Sequence, residues 1–113
     1  MSDVLNELAK VLEQRKSASA KKSYVASLHG EGLNKILEKI NEESNETIQA
    51  AREYDDQMEN TKTAVIHETA DLWFHTLVML SHLDLGPHQV LEELKKRFNI
   101  SGLDEKASRK TKR

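Results

Sequence analysis

Val4, Leu5, Leu8, Val11 and Leu12 recur at helical spacing, so the pattern predicts a helix over residues 3–16, with Ser2 or Asp3 placed to cap it. Ser17 to Ser23 is small, polar and basic without a period, and reads as a loop. Ser23-Tyr24-Val25-Ala26-Ser27-Leu28 reads as an ordered loop carrying a helical turn. A second helix is expected from about Gly30 to Glu53, because Leu33, Ile36, Leu37, Ile40, Ser44, Thr47, Ile48 and Ala51 share one face at about 100° per residue. Tyr54 to Thr61, rich in Asp, Glu and Asn, is the expected connection to a third helix over about Lys62 to Leu83. Gly86-Pro87 stops that helix and sets a proline in the first turn of a fourth, whose apolar face is Val90, Leu91, Leu94 and Phe98. The expectation is an all-α, four-helix domain over residues 1–98, followed by a basic tail over 99–113.

The third helix departs from simple amphipathicity. Ile66, Thr69, Ala70, Trp73, Thr76, Leu77 and Leu80 form one face, and Glu68, Asp71, His75, Val78 and His82 the opposite one. Between residues 72 and 80 it is apolar nearly all round, which marks burial on more than one side, and Trp73 and Phe74 read as core. A chain this short has few helices with which to surround it. The pattern therefore points to a second subunit, most simply in a homodimer packed as a helical bundle.

Composition narrows the function classes. The 113 residues suit one domain, and four Gly with one Pro favour long helices over strands. A net charge of −2 and five aromatic residues argue against a nucleic-acid partner. Cysteine is absent, which excludes disulfides, thiolate metal sites and cysteine nucleophiles. The N-terminal residues form no signal-peptide core and no apolar run reaches membrane-spanning length, so no membrane association and a cytoplasmic location are expected.

Two acidic clusters carry the candidate chemistry. Glu43 and Glu46 are three residues apart, as are Glu68 and Asp71, so each pair projects from one side of its helix. Glu42 could reach the site from its edge. The plain reading of Glu42, Glu43 and Glu46 is a solvated helix face. Asp71 resists that reading, since it leads straight into Leu72-Trp73-Phe74, where a carboxylate is costly unless something positive compensates it. Across an antiparallel helix pair, the four acids suit a hard divalent cation such as Mg²⁺, which prefers carboxylate oxygens and leaves positions for substrate phosphates.

His75, one turn beyond Asp71, is a partner that orients a metal ligand, a contact to a substrate phosphate, or a core-edge histidine bonded to a neighbour. No His-Glu-x-x-His or Glu-x-x-His sequence is present, nor a Walker-type phosphate loop. Hydroxyl and basic groups that could hold a polyphosphate are Lys21, Lys22, Ser23 and Ser27 ahead of the acidic helix, Lys35 and Lys39 on it, and Arg97, Lys106 and Arg109 from the far end.

The residues then resemble a known family. Glu42-Glu43-Ser44-Asn45-Glu46-Thr47 and Glu68-Thr69-Ala70-Asp71-Leu72-Trp73-Phe74-His75 resemble the acidic motif of the all-α NTP pyrophosphatase (MazG-like) superfamily. Ser23-Tyr24-Val25-Ala26-Ser27-Leu28, the stretch from Gly32 to Ile40, and Ser101-Gly102-Leu103-Asp104-Glu105-Lys106-Ala107-Ser108-Arg109 narrow the likeness to its phosphoribosyl-ATP pyrophosphatases of histidine biosynthesis. Asn41 departs from the pattern, standing where a Gly is expected before the paired glutamates. The resemblance implies a helical dimer that hydrolyses phosphoribosyl-ATP to phosphoribosyl-AMP and pyrophosphate with Mg²⁺, or Mn²⁺ in its place. Glu42, Glu43, Glu46, Glu68 and Asp71 match the family's metal-site positions. With Glu43, Glu46, Glu68 and Asp71 on the metal, Glu42 or Glu46 is the expected acceptor of the proton from the attacking water. Two other readings stand beside it: a housecleaning nucleoside triphosphate pyrophosphatase of the same superfamily, and a non-catalytic helical dimerisation module.

Overall fold

The computed structural model describes residues 2–19 and 23–98, and these form five α-helices with no strand. They are α1 (Ser2–Arg15), α2 (Tyr24–Glu31), α3 (Leu33–Arg52), α4 (Glu59–His82) and α5 (Pro87–Phe98). The tail over 99–113, expected to be basic and separate, lies outside the described residues.

Five helices stand where four are expected, because the stretch read as a loop with one turn is a helix. Ser23 starts it: the backbone is extended there, and its hydroxyl accepts from the Ala26 N–H at 3.2 Å. Val25, Ala26 and Leu28 are then buried. Gly32 ends it, with φ at 100°, its N–H given to the Leu28 carbonyl and its own carbonyl accepting from Lys35 and Ile36. That backbone angle favours glycine, so a single residue closes α2 and opens α3 in a new direction. The helix expected from Gly30 therefore begins at Leu33.

The acidic connection between α3 and α4 is also tighter than expected. The Thr61 hydroxyl accepts from the Asp55 N–H and lies within hydrogen-bonding distance of the Asp55 and Met58 carbonyls. The Asp55 side chain accepts from the Gln57 N–H at 2.9 Å, an Asx-type turn. Held this way, α4 begins at Glu59 and returns antiparallel along α3, the most extensive helix pairing in the fold. At its other end Asp84, with φ at 62°, forms a Schellman close: its N–H goes to the Ser81 carbonyl and that of Leu85 to Leu80. Pro87 follows in the first turn of α5, as its sequence implies.

The core is Leu12 of α1, Val25 and Leu28 of α2, Ile36 of α3, and Leu77 and Val78 of α4. One face of α4 is thus satisfied within the chain. The other is not: Trp73, read as core, is 60% exposed, and Ile66 is 69% exposed. Leu5, Trp73, Leu80, Val90 and Leu94 border an apolar trough of about 370 Å³ between α4 and α5. Among the described residues no helix is long and apolar enough to cross a membrane.

Candidate metal centre

The antiparallel α3–α4 pair brings the two acidic clusters face to face. Thr47 laces them, its hydroxyl 2.7 Å from the Glu43 carbonyl and 3.1 Å from that of Glu68. Glu43 is buried at 6% exposure, whereas Glu68 and Asp71 are half-buried. One carboxylate oxygen from each of the three lies within 4.8 Å of the others. Glu46, on the exposed side, is within hydrogen-bonding reach of both Glu43 and Glu68.

This arrangement is electrostatically uncomfortable by itself. Burial, then the charges of Glu46 and Asp71, raise the pKa of Glu43, and burial with Glu46 raises that of Glu68. Nearby positive groups are few. His67 Nε2 lies 3.3 Å from Asp71 Oδ2 on the exposed side. Lys39 is turned to Glu42 at 3.1 Å. Meanwhile Glu43 Oε1 and Glu68 Oε1 are buried without any hydrogen-bond partner among the described residues. Buried carboxylate oxygens without donors fit a cation, and an all-oxygen donor set fits a hard one such as Mg²⁺ or Mn²⁺.

The remaining candidates fall into three groups. Lys21, Lys22, Lys106 and Arg109 lie outside the described residues. Ser23 and Ser27 are engaged locally, Ser23 as the α2 cap and Ser27 with Glu31 at 3.3 Å. Lys35 and Lys39 pair along α3 with Glu38 and Glu42, at 3.4 and 3.1 Å, while Arg97 pairs with Glu93 on α5, a helix that packs against α1. Glu42 is therefore a carboxylate already paired to a cation, whereas Glu46 touches the cluster.

His75 is 5% exposed, and both its nitrogens are engaged. Nδ1 lies 2.8 Å from the Asp71 carbonyl and Nε2 2.9 Å from the Tyr24 hydroxyl. Tyr24 is the residue that pattern reading passed over. It is half exposed, its ring set against Phe74 and edge-on to His75. Burial raises its pKa; Lys39 opposes this, and Glu43 and Glu42 add to it. The available signal was its position, one residue after a serine able to cap a helix.

A helical hairpin that gathers carboxylates from both its arms defines an all-α protein with an acid-lined site of a kind that could hold a metal ion. A family model described as phosphoribosyl-ATP pyrophosphohydrolase matches residues 5–98. The chain belongs to that family of hydrolases, and the match spans all the acids just described.

Proposed function

We propose that the protein hydrolyses phosphoribosyl-ATP to phosphoribosyl-AMP and pyrophosphate in histidine biosynthesis, with Mg²⁺ or Mn²⁺ held by Glu43, Glu46, Glu68 and Asp71. The observation that carries this reading is the pair of buried, unpartnered oxygens on Glu43 and Glu68, in a chain of this family. The bound ion supplies charge neutralisation for the triphosphate and acidifies a water molecule.

The chain's residues do the rest. Glu43 and Glu68 offer their unpartnered oxygens from helix turns that Thr47 joins through the backbone, and Asp71 completes the set from one turn further along α4. Glu46, exposed and beside Glu43 and Glu68, takes the proton of the attacking water. The water oxygen bonds to phosphorus, the α–β anhydride breaks, and pyrophosphate leaves. Glu42, the other sequence candidate for this role, acts through Lys39, which it holds at the rim. Lys35 and Lys39 bring positive charge to the α3 side, and Lys21, Lys22, Lys106 and Arg109 are further phosphate-binding candidates.

The uncovered α4 face, with Trp73 and Ile66 exposed, supports a homodimer, and the overall character suits the cytoplasm. Product analysis with phosphoribosyl-ATP and Mg²⁺ tests the proposal. Pyrophosphate should appear, stop with chelator, and fall to background in Asp71→Ala at unchanged helicity. Wild-type turnover by that variant at saturating Mg²⁺ would refute the site. Faster cleavage of free nucleoside triphosphates than of phosphoribosyl-ATP would instead indicate a housecleaning enzyme.

A further inference from the structure

We propose that the Tyr24 hydroxyl oxygen accepts a hydrogen bond from a sugar hydroxyl of the nucleotide, and that His75 is the positioning residue that holds it in that role. The inference rests on the reaction proposed above and names a contact for it away from the phosphates.

The direction of each hydrogen bond follows from chemistry. The Asp71 carbonyl can only accept, so Nδ1 of His75, 2.8 Å away, carries a proton. In the Nδ1–H tautomer Nε2 is a lone pair, and the Tyr24 O–H, 2.9 Å from it, donates. The phenol's single proton is spent inward. What Tyr24 shows to a ligand is an oxygen lone pair on a half-exposed side chain. Phosphate oxygens are acceptors, so this oxygen is no phosphate clamp; it suits a donor, and sugar hydroxyls are donors on a nucleotide.

Geometry makes that lone pair directional. The ring is braced by Phe74, with centroids 6.4 Å apart and planes 20° from parallel, and by the edge of His75 at 5.8 Å. Tyr24 stands on the first turn of α2, whose start is pinned by the Ser23 cap. His75 is too buried to meet a ligand, so its influence on one passes through Tyr24. Through His75 the phenol is two hydrogen bonds from the backbone of Asp71, one of the three clustered acids. A nucleotide with its phosphates at the acids therefore extends a sugar past Tyr24.

Steady-state kinetics on the full chain, with ATP and dideoxy-ATP as competing ligands, tests this. Tyr24→Phe keeps the ring and loses the lone pair. It should raise KM for phosphoribosyl-ATP about three- to tenfold with kcat within about twofold, at unchanged helicity and Mg²⁺ affinity. His75→Gln, whose amide oxygen can accept from the phenol, should retain most of the affinity, and His75→Phe should match Tyr24→Phe. Neither His75 change should raise KM further in the Tyr24→Phe background, a result that a purely structural role for His75 does not produce.

The competitors locate the sugar. If Tyr24→Phe abolishes a preference for ATP over dideoxy-ATP, the donor is the ribose of the ATP part. If that preference is unchanged and only the KM for phosphoribosyl-ATP rises, the donor is the second sugar. An unaltered KM in Tyr24→Phe, with an active wild type, overturns this inference and leaves the reaction standing. A wild type inactive on phosphoribosyl-ATP overturns both.

Discussion

Glu43→Gln separates a metal site from a structural acid patch. Glutamine keeps the shape of the side chain and removes a negative charge from a position 6% exposed, beside Glu46, Glu68 and Asp71. Without metal, the wild type buries an unpartnered charged oxygen there, at a cost of about 1–3 kcal/mol, whereas a glutamine amide can donate to the neighbouring carboxylates. The variant should therefore melt above the wild type in chelator at pH 7, by at least about 4 °C for a domain of this size. In saturating Mg²⁺ the order should reverse. An ion at a hundredfold its dissociation constant stabilises the wild type by about 2.7 kcal/mol, or roughly 10–20 °C, and the variant has lost one of its anionic donors.

The pH dependence has a definite sign. The folded-state pKa of Glu43 is raised, so this group's contribution is fully present below the ordinary glutamate value of 4.5 and is lost as pH rises through the folded value. The metal-free gap between variant and wild type should thus close on acidification. Calorimetric melts of both proteins at pH 4 and 7, with chelator and with Mg²⁺, give all four values. A variant that melts below the wild type in chelator, or a wild type indifferent to Mg²⁺, refutes the argument.

Three further outcomes are expected. Gly32→Ala should destabilise by about 1–2 kcal/mol in chemical denaturation, because φ at 100° strains any side chain although an added Cβ would meet nothing within 4 Å. Ile36→Ala, at 0% exposure on the helix that packs against α2 and α4, should cost about 2–5 kcal/mol by the same measurement. Trp73→Glu, at 60% exposure, should leave helicity unchanged but yield a monomer in sedimentation, and a persistent dimer would place the interface elsewhere.

Local pattern decided much of this protein. Three-residue spacing put the acids in pairs, the apolar stripes marked α1, α3, α4 and α5, and Gly86-Pro87 marked the start of the last helix. These features depend on periodicity and on the chemistry of single residues, which a sequence displays directly. Asp71 ahead of an apolar run drew notice in the same way, although the fold leaves its side chain 40% exposed beside His67.

What the sequence left open depends on which surfaces meet. α2 is short and lacks a strong stripe, so its helicity rests on the Ser23 cap and on burying Val25 and Leu28 in the shared core. Periodicity runs through Gly32 without registering that its backbone turns. Trp73 and Val78 belong to one apolar stretch, yet α4 buries Val78 completely and exposes Trp73, because the described residues cover the Val78 side and not the Trp73 side. His75 is the clearest case. Its spacing from Asp71 left a substrate contact and a core-edge histidine equally open, and the packing of α2 against α4 decided for the second, turned inward to hold Tyr24. The acids were set by spacing along two helices, whereas the tyrosine joined them only when a third helix crossed over.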